Sequence, residues 1–291
     1  MLSSESLEAY RMAGAIAAKI REEAKKMVKE GTPLIKICET LERKIIKENG
    51  KLAFPLNISI NDVAAHYTSP PYDKSKIPPE ALVKVDIGVH IDGFIADTAL
   101  TVSVGKGGQE LVKASETALE NVLKTVKHGV KSNQIGEIVE KTIKEFGFKP
   151  ISNLTGHLLD RYNLHAGKSI PNVKTMIGFT LKEGEVYAIE PFATTGAGIV
   201  EDSKYSYIYR MPNQKTSTPF LSYIAHEFKT LPFAARWLVS KFPKAQEFIK
   251  KFASSGTIQA YPVLVEKERG AVSQAEHTLI VKKNGCEVTS A

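Results

Sequence analysis

The sequence predicts an α+β protein made of two related halves, with a helical insertion in the second half. Pairs of amphipathic helical patterns precede segments rich in β-branched residues in both halves. The segment that begins at Val28 also resembles the segment that begins at Val126, a shift of 98 residues. Such a period is too long for a solenoid and favours two halves that face each other across a pseudo-twofold axis. Chance similarity between two amphipathic helices is the alternative.

Composition limits the class of protein. The chain has 291 residues, of which 43% are hydrophobic and 24% charged, and a net charge of +7. These values exclude a disordered chain and a collagen-like chain. The two cysteines, Cys38 and Cys286, are too few for a disulfide framework and indicate a reducing cytosol. No stretch reaches the roughly 18 apolar residues of a membrane span, and the N-terminus has the pattern of a helix, not of a signal peptide.

Residues 5–49 are predicted to form two helices. Apolar residues recur at helical spacing, Ser3 or Ser4 can cap the start, and Gly31-Thr32-Pro33 interrupts the pattern. Both helices are amphipathic, so we expect them to pack on a sheet.

A β-hairpin is predicted next, from 81–90 and 94–104, with Asp92-Gly93 as its two-residue turn. This turn places Gly88 opposite Asp97, and Asp86 then shares a face with Gly88. Asp86 and Asp97 thus become diagonal neighbours within reach of a common cation. The alternative is that one of the two aspartates points to solvent at a strand edge.

Later strands are predicted at 185–192 and 276–282. Between them, residues 216–254 predict three short helices, separated at Leu231-Pro232 and Phe242-Pro243. The wider region 200–270, a mostly helical insertion, has 11 Lys and Arg against 6 Asp and Glu. We interpret this basic stretch as a solvated face, and contact with ribosomal RNA is the alternative.

Further acids and histidines occur in apolar or glycine-flanked contexts: Glu190, Glu276, His157, His165 and His66. Two Asp, two Glu and one His form a ligand set rich in hard oxygen atoms. Such a set suits a pair of divalent transition ions better than structural zinc, which prefers Cys and His. A single buried His or strand Glu is more often structural, and the argument therefore depends on the five occurring together.

Five motifs resemble the methionine aminopeptidase family: 84–98, 153–157, 164–168, 183–191 and 274–278. The similarity covers nearly the whole chain. Phe54-Pro55, the segment 64–68 and the helical region with Thr230-Leu-Pro-Phe-Ala resemble the type 2 branch, in a short form like that of archaea. The resemblance implies the pita-bread fold, in which two αβ halves surround a central site, and one catalytic domain over residues 1–291.

The resemblance also implies a site with two divalent metal ions, which could be cobalt, manganese, iron or zinc. Asp86 would chelate one ion, Asp97 and Glu276 would bridge both, and His157 and Glu190 would complete the shell of the other. A hydroxide that bridges the two ions would hydrolyse the first peptide bond and release the initiator methionine.

Catalytic and substrate-binding roles follow from the same resemblance. His165 would hydrogen-bond the substrate carbonyl or its oxyanion, His66 would lie near the leaving nitrogen, and Glu190 would accept the proton of the water. The pocket for the methionine side chain would be formed by Phe54, Leu164 and Tyr261, with Ile208 a weaker candidate.

We therefore expect a cytoplasmic monomer that acts on the N-termini of nascent polypeptides, with no membrane partner and with association with the ribosome as an open question. Two alternatives remain. The first is a peptidase of the same fold directed at Xaa-Pro bonds, which the insertion and the context of His66 disfavour. The second is a non-catalytic RNA- or protein-binding relative, which would be expected to lose metal ligands, whereas all five are present here.

Overall fold

The computed structural model describes residues 2–213 and 216–291. Its first two helices are α1 (Ser4–Met27) and α2 (Leu34–Lys47). The Ser3 side chain accepts a hydrogen bond from the Ser6 amide at 3.1 Å, so it is Ser3 that caps α1. The break predicted at 31–33 is confirmed.

The predicted hairpin is confirmed in extent and register. The strands of this part are β1 (Lys51–Leu52), β2 (Asn57–Ile60), β3 (Val63–Ala65), β4 (Ala81–Ile91) and β5 (Phe94–Val104). Gly88 lies opposite Asp97, as the turn predicts. The φ angles of Asp92 and Gly93 are 48° and 88°, both positive, as a tight hairpin turn of type I′ requires. Strand β4 pairs with β5 along one edge and with β1 and β2 along the other.

The second half begins with α3 (Gln109–Thr125) and α4 (Ser132–Glu145). The strands that follow are β6 (Lys149–Pro150), β7 (Thr155–Leu159), β8 (Ser169–Pro171), β9 (Val186–Ile189) and β10 (Phe192–Thr194). The single strand predicted at 185–192 is therefore wrong, because the structure has two strands that belong to different sheets. Pro191 explains the break, since proline has no amide hydrogen for a strand ladder and restricts the residue before it.

The region 200–270 begins and ends with strands, so its mostly helical character is confined to its centre. In chain order it contains β11 (Val200–Arg210), α5 (Pro219–Phe228), β12 (Phe233–Ala234), α6 (Ala245–Ser254) and β13 (Gln259–Glu266). The middle of the three predicted helices is wrong: Ala235–Trp237 form one turn of 3₁₀ helix. The residues just before this turn pair with Ile208 and Tyr209 of β11, which holds the chain extended there.

The chain ends with β14 (Val272–Gln274), β15 (His277–Lys282) and β16 (Gly285–Val288). A five-stranded sheet has the order β16-β15-β9-β7-β8, and a three-stranded sheet has the order β14-β10-β6. Strand β13 pairs with both β11 and β3, which joins the central region to the first half. The two halves also meet where the backbones of Ala99 and Glu276 exchange hydrogen bonds at 3.1 and 3.3 Å.

Each half has a hydrophobic core of its own. In the first half, α1 packs on β4 and β5 and α2 packs on β1 and β2, and Ile20, Ile37 and Val85 are fully buried there. In the second half, α3 and α4 cover the neighbouring strands in the same way. This shared order of two helices and an antiparallel sheet agrees with the repeat in the sequence. None of the helices in the described part of the chain is both long and apolar enough to cross a membrane.

Candidate active site

The hairpin of β4 and β5 supplies two buried acids. Asp86 lies on β4, and Asp97 lies on β5 opposite Gly88. The ring of Phe54 packs directly on Gly88, where an added Cβ would overlap the ring. Glycine at this position therefore lets an aromatic wall approach the two carboxylates closely.

Three residues of the second half converge on this pair. His157 projects from β7, Glu190 follows β9, and Glu276 immediately precedes β15. The Nε2 atom of His157 lies 3.7 Å from Asp97 Oδ2 and 3.5 Å from Glu190 Oε1. One ligand atom from each of Asp97, His157 and Glu276 lies within 4.8 Å of the other two. The structure thus brings together acids that are far apart in the sequence.

Burial dominates the electrostatics of this cluster. It raises the pKa of Asp86 to about 7 and holds the pKa values of the other three carboxyl groups well above their usual range. Repulsion adds to this effect, from Asp86 on Asp97 and on Glu190, and from Asp97 on Glu276. Burial also lowers the pKa of His157, which keeps its ring neutral and able to coordinate a cation.

The cluster fits divalent cations on two independent observations. Asp86 Oδ1 and Asp97 Oδ1 are buried and have no hydrogen-bond partner within the described residues. Within the same residues, none of the four carboxylates forms an ion pair with a Lys or Arg. Buried charge of one sign requires compensation, and hard oxygen ligands with one imidazole suit divalent transition ions. These residues could hold such ions.

A set of neighbouring polar residues orients the acids. The Thr278 hydroxyl accepts a hydrogen bond from the Asp97 amide at 2.7 Å and donates one to the Asp97 carbonyl at 2.8 Å. The Gln274 side-chain amide donates to Glu276 Oε2 at 3.3 Å. The motif at 274–278 contains both residues, but sequence reasoning gave neither of them a role. Their alternation with Glu276 along the chain, at 274, 276 and 278, was the available signal, because alternate residues of an extended chain share a face.

Two further histidines face the cluster. The ring of His165 lies 4.4 Å from the ring of His157, centroid to centroid. His66 packs edge-on against Tyr261 at 5.4 Å, and its Nδ1 atom lies 3.2 Å from the Pro262 carbonyl oxygen. Burial lowers the pKa of His165 to about 4 and also lowers the pKa of His66. Both rings are therefore neutral near pH 7, so each offers one N–H donor and one nitrogen acceptor.

The four acids and the three histidines of the cluster line one cavity of about 280 Å³, here called the central cavity. Every residue that the sequence suggested for metal binding, catalysis or substrate binding is in its wall: Phe54, His66, Asp86, Asp97, His157, Leu164, His165, Glu190, Ile208, Tyr261 and Glu276. The structure thus brings the whole predicted set to one place, and the role of each residue stays a prediction. The wall also contains residues to which the sequence assigned no role: Asn57, Asn153, Leu154, Thr155, Pro232 and Leu264, of which 153–155 and Pro232 lie within the motifs singled out above. These are ordinary amide, hydroxyl or apolar residues, whose types alone give no signal.

His277 lies away from the cluster, as its position next to Glu276 on a strand predicts. Its Nδ1 atom lies 3.0 Å from Arg21 Nη1 and 3.1 Å from the Ser290 hydroxyl. Since an arginine only donates, this nitrogen is the acceptor, and the His277 ring has a structural environment.

Comparison with known proteins connects this geometry to a family. The model of metallopeptidase family M24 matches residues 8–282. A methionine aminopeptidase of Methanothermobacter thermautotrophicus is 44% identical over 292 residues, an alignment that covers 97% of this chain and 98% of that protein.

Solved structures show the same fold. The structure of a thermophilic Arx1 has a TM-score of 0.87 at 21% identity and covers 99% of this chain and 91% of that one. The structure of a methionine aminopeptidase from Thermotoga maritima has a TM-score of 0.75 at 20% identity, with coverage of 99% and 98%. These likenesses confirm the pita-bread fold that the sequence motifs implied. The chain therefore belongs to metallopeptidase family M24 and, within it, to the methionine aminopeptidases.

Proposed function

We propose that this enzyme releases the N-terminal methionine of nascent proteins and peptides by hydrolysing the first peptide bond. The observation that carries the proposal is the buried cluster of Asp97, His157 and Glu276, open to a cavity of side-chain size. The family membership limits the chemistry to metal-assisted peptide hydrolysis, and the named relatives indicate methionine as the residue removed.

Two divalent ions are proposed to occupy the cluster. Asp86 would hold one ion, Asp97 and Glu276 would lie between the two, and His157 and Glu190 would hold the other. Such ions supply a hydroxide nucleophile at neutral pH and polarise the carbonyl of the bond to be cleaved. The unpartnered buried oxygens of Asp86 and Asp97 support this assignment, as does the position of His157 Nε2 beside Asp97 and Glu190.

The chain's own residues position the substrate and move its protons. A neutral His165 can donate its N–H to the oxygen of the substrate carbonyl as negative charge develops there. His66 lies across the cavity beside Tyr261, where it can hydrogen-bond the nitrogen of the leaving amide. Glu190, whose carboxylate lies 3.5 Å from His157 Nε2 in the wall of the cavity, can take up the proton of the attacking water and pass it on.

The apolar part of the central cavity is proposed to hold the methionine side chain. Phe54, Leu164, Ile208 and Tyr261 form this part of the wall. An unbranched thioether fits an irregular apolar pocket well and gains from contact with aromatic rings. Chains that begin with a free methionine are the proposed partners, and the cytoplasm, where such chains are made, is the proposed location of the enzyme.

Metal loading with a product readout tests the proposal. Protein stripped with a chelator should release no methionine from Met-Ala-Ser, and activity should return on titration with Mn²⁺ or Co²⁺. If two ions act together, activity should rise to a plateau near two bound ions per chain, measured by elemental analysis. Full activity in the stripped protein would contradict the assignment of the cluster as a metal centre, and a plateau at one ion would contradict the second ion.

A further inference from the structure

A second cavity adjoins the central cavity at Thr155. Thr155 is the first residue of β7, and it lines both the central cavity and a neighbouring one of about 420 Å³. The neighbour is formed by Ser169 and Pro171 of β8 and by Ile177 and Phe179 of the loop that leads to β9, and is here called the downstream cavity. Its volume lies in the ~300–1,000 Å³ range of ligand pockets.

The rim of the downstream cavity carries an exposed apolar pair. Met176 is 99% exposed and Ile177 is 87% exposed. The loop that presents them is held in place, because the Thr175 hydroxyl donates to the Ile177 carbonyl at 3.0 Å and Phe179 packs on the core of the second half. Adjacent large aliphatic side chains presented to solvent beside a cavity are typical of an interaction surface.

The chemistry of the walls selects the kind of occupant. None of the described residues that line the downstream cavity is charged. Apolar surface comes from Pro171, Ile177 and Phe179, while Thr155 and Ser169 contribute hydroxyls. Hydroxyls can bond the carbonyl and amide groups of an extended backbone, and apolar walls favour apolar side chains over charged ones. An uncharged segment of extended polypeptide meets both requirements.

The position of the downstream cavity indicates which polypeptide would occupy it. A substrate with its first residue beside the metal centre must leave the central cavity by some path, and Thr155 is a wall common to both cavities. An extended chain advances by about 3.3 Å per residue, so two to three residues beyond the scissile bond span about 7–10 Å. The geometry points to the downstream cavity as the docking site for the fourth and fifth residues of the substrate, with a preference for apolar side chains. This inference rests on the proposed function.

Matched peptides test the inference. Wild-type enzyme loaded with Mn²⁺ should cleave Met-Ala-Ser-Leu-Val-Gly about threefold to tenfold more efficiently, in kcat/KM, than Met-Ala-Ser-Ser-Ser-Gly. The variant Ile177→Asp should bring this ratio close to one. Its kcat/KM for the tripeptide Met-Ala-Ser should stay at the wild-type value, because that substrate is too short to reach Ile177. Because the Ile177 side chain is exposed, its replacement should leave the fold intact, and the rate with the tripeptide controls for this.

A second exposed isoleucine provides the matched control. Ile46 on α2 is 59% exposed and lies in neither cavity, so Ile46→Asp should preserve the wild-type ratio. The inference would be overturned if the wild-type enzyme cleaved the two hexapeptides with equal kcat/KM, or if Ile177→Asp kept the wild-type ratio. It would also be overturned if Ile177→Asp and Ile46→Asp lowered the ratio equally. Failure of the proposed function gives a different result, since no methionine would then be released from any of the three peptides.

Discussion

Replacement of Arg236 by methionine should destabilise the enzyme by about 3–5 kcal/mol, because it removes one partner of a buried ion pair. The Arg236 guanidinium bonds the carboxylate of Glu42, and the two residues are only 8% and 5% exposed. The other oxygen of Glu42 accepts from Trp237 Nε1 at 2.9 Å. The arginine also donates to the Thr68 hydroxyl at 2.7 Å. Without it, the Glu42 carboxylate would remain buried with no balancing charge.

The pair also fixes the central region of the chain to the first half. Arg236 lies two residues beyond Ala234, which pairs with Ile208 in the wall of the central cavity. Arg236→Met should therefore raise KM for a methionyl peptide more than it lowers kcat. Arginine keeps the pKa of Glu42 lower than burial alone would, so its removal raises that pKa. A carboxyl group whose pKa is raised in the folded state contributes less stability as the pH rises. The free energy of unfolding of the Arg236→Met variant should therefore be lower at pH 8 than at pH 5.

Urea unfolding of the metal-loaded protein, followed by circular dichroism, measures the effect. The double variant Glu42→Leu with Arg236→Met should regain at least half of the lost stability, because it removes the unpaired charge. Arg269→Met is the control: its pair with Asp62 is at the surface, with the arginine side chain 72% exposed, and should cost less than about 1 kcal/mol. A cost below about 1 kcal/mol for Arg236→Met, or strictly additive effects in the double variant, would refute this reasoning.

Three further substitutions probe the site and its surroundings. Asp97→Ala should abolish methionine release and remove most bound metal by elemental analysis, since its carboxylate would be a ligand of the proposed ions; wild-type turnover would show the assignment to be wrong. His165→Ala should lower kcat by about 10²–10³ at unchanged metal content, whereas loss of metal would place His165 among the ligands. Burial lowers the pKa of His90 to about 4 from its ordinary 6.5, so the folded state binds fewer protons than the unfolded state in this range and loses stability as pH falls through it. His90→Asn keeps an acceptor for the Gly93 amide, which now donates to His90 Nδ1 at 2.9 Å. Between pH 6.5 and 4, the free energy of unfolding of this variant, measured by urea titration, should therefore fall by up to about 3 kcal/mol less than that of the wild type. The same dependence on pH in both proteins would contradict the lowered pKa of His90.

Local signals in the sequence predicted the part of the site that local structure determines. The Asp92-Gly93 turn fixes the register of the hairpin, and the register alone places Asp86 and Asp97 on one face. The break between β9 and β10 was missed because the apolar residues on both sides suggested one continuous strand. Pro191 was the available signal for this break. The 3₁₀ turn at Ala235 was also missed. The two residues before it are extended because they pair with β11, and that strand lies elsewhere in the chain.

Contacts between distant segments could not be predicted in this way. Thr278 holds the backbone of Asp97 across 181 positions of sequence, and nothing near either residue indicates the other. The downstream cavity likewise exists only because β7, β8 and the loop with Ile177 meet in space. Motif resemblance supplied the expected ligand set, whereas the supporting hydrogen bonds and the shape of the cavities required the folded chain.

A competition between peptides tests the central claim most directly. Chelator-stripped protein would be loaded with Mn²⁺ or Co²⁺ and offered peptides that begin with Met-Ala, Leu-Ala and Ala-Pro in one mixture, with the products identified by mass. We predict that methionine alone is released, and only after metal is added. Cleavage of the Ala-Pro peptide would assign the enzyme to proline-directed hydrolysis, and no cleavage with any metal would contradict catalysis at this site.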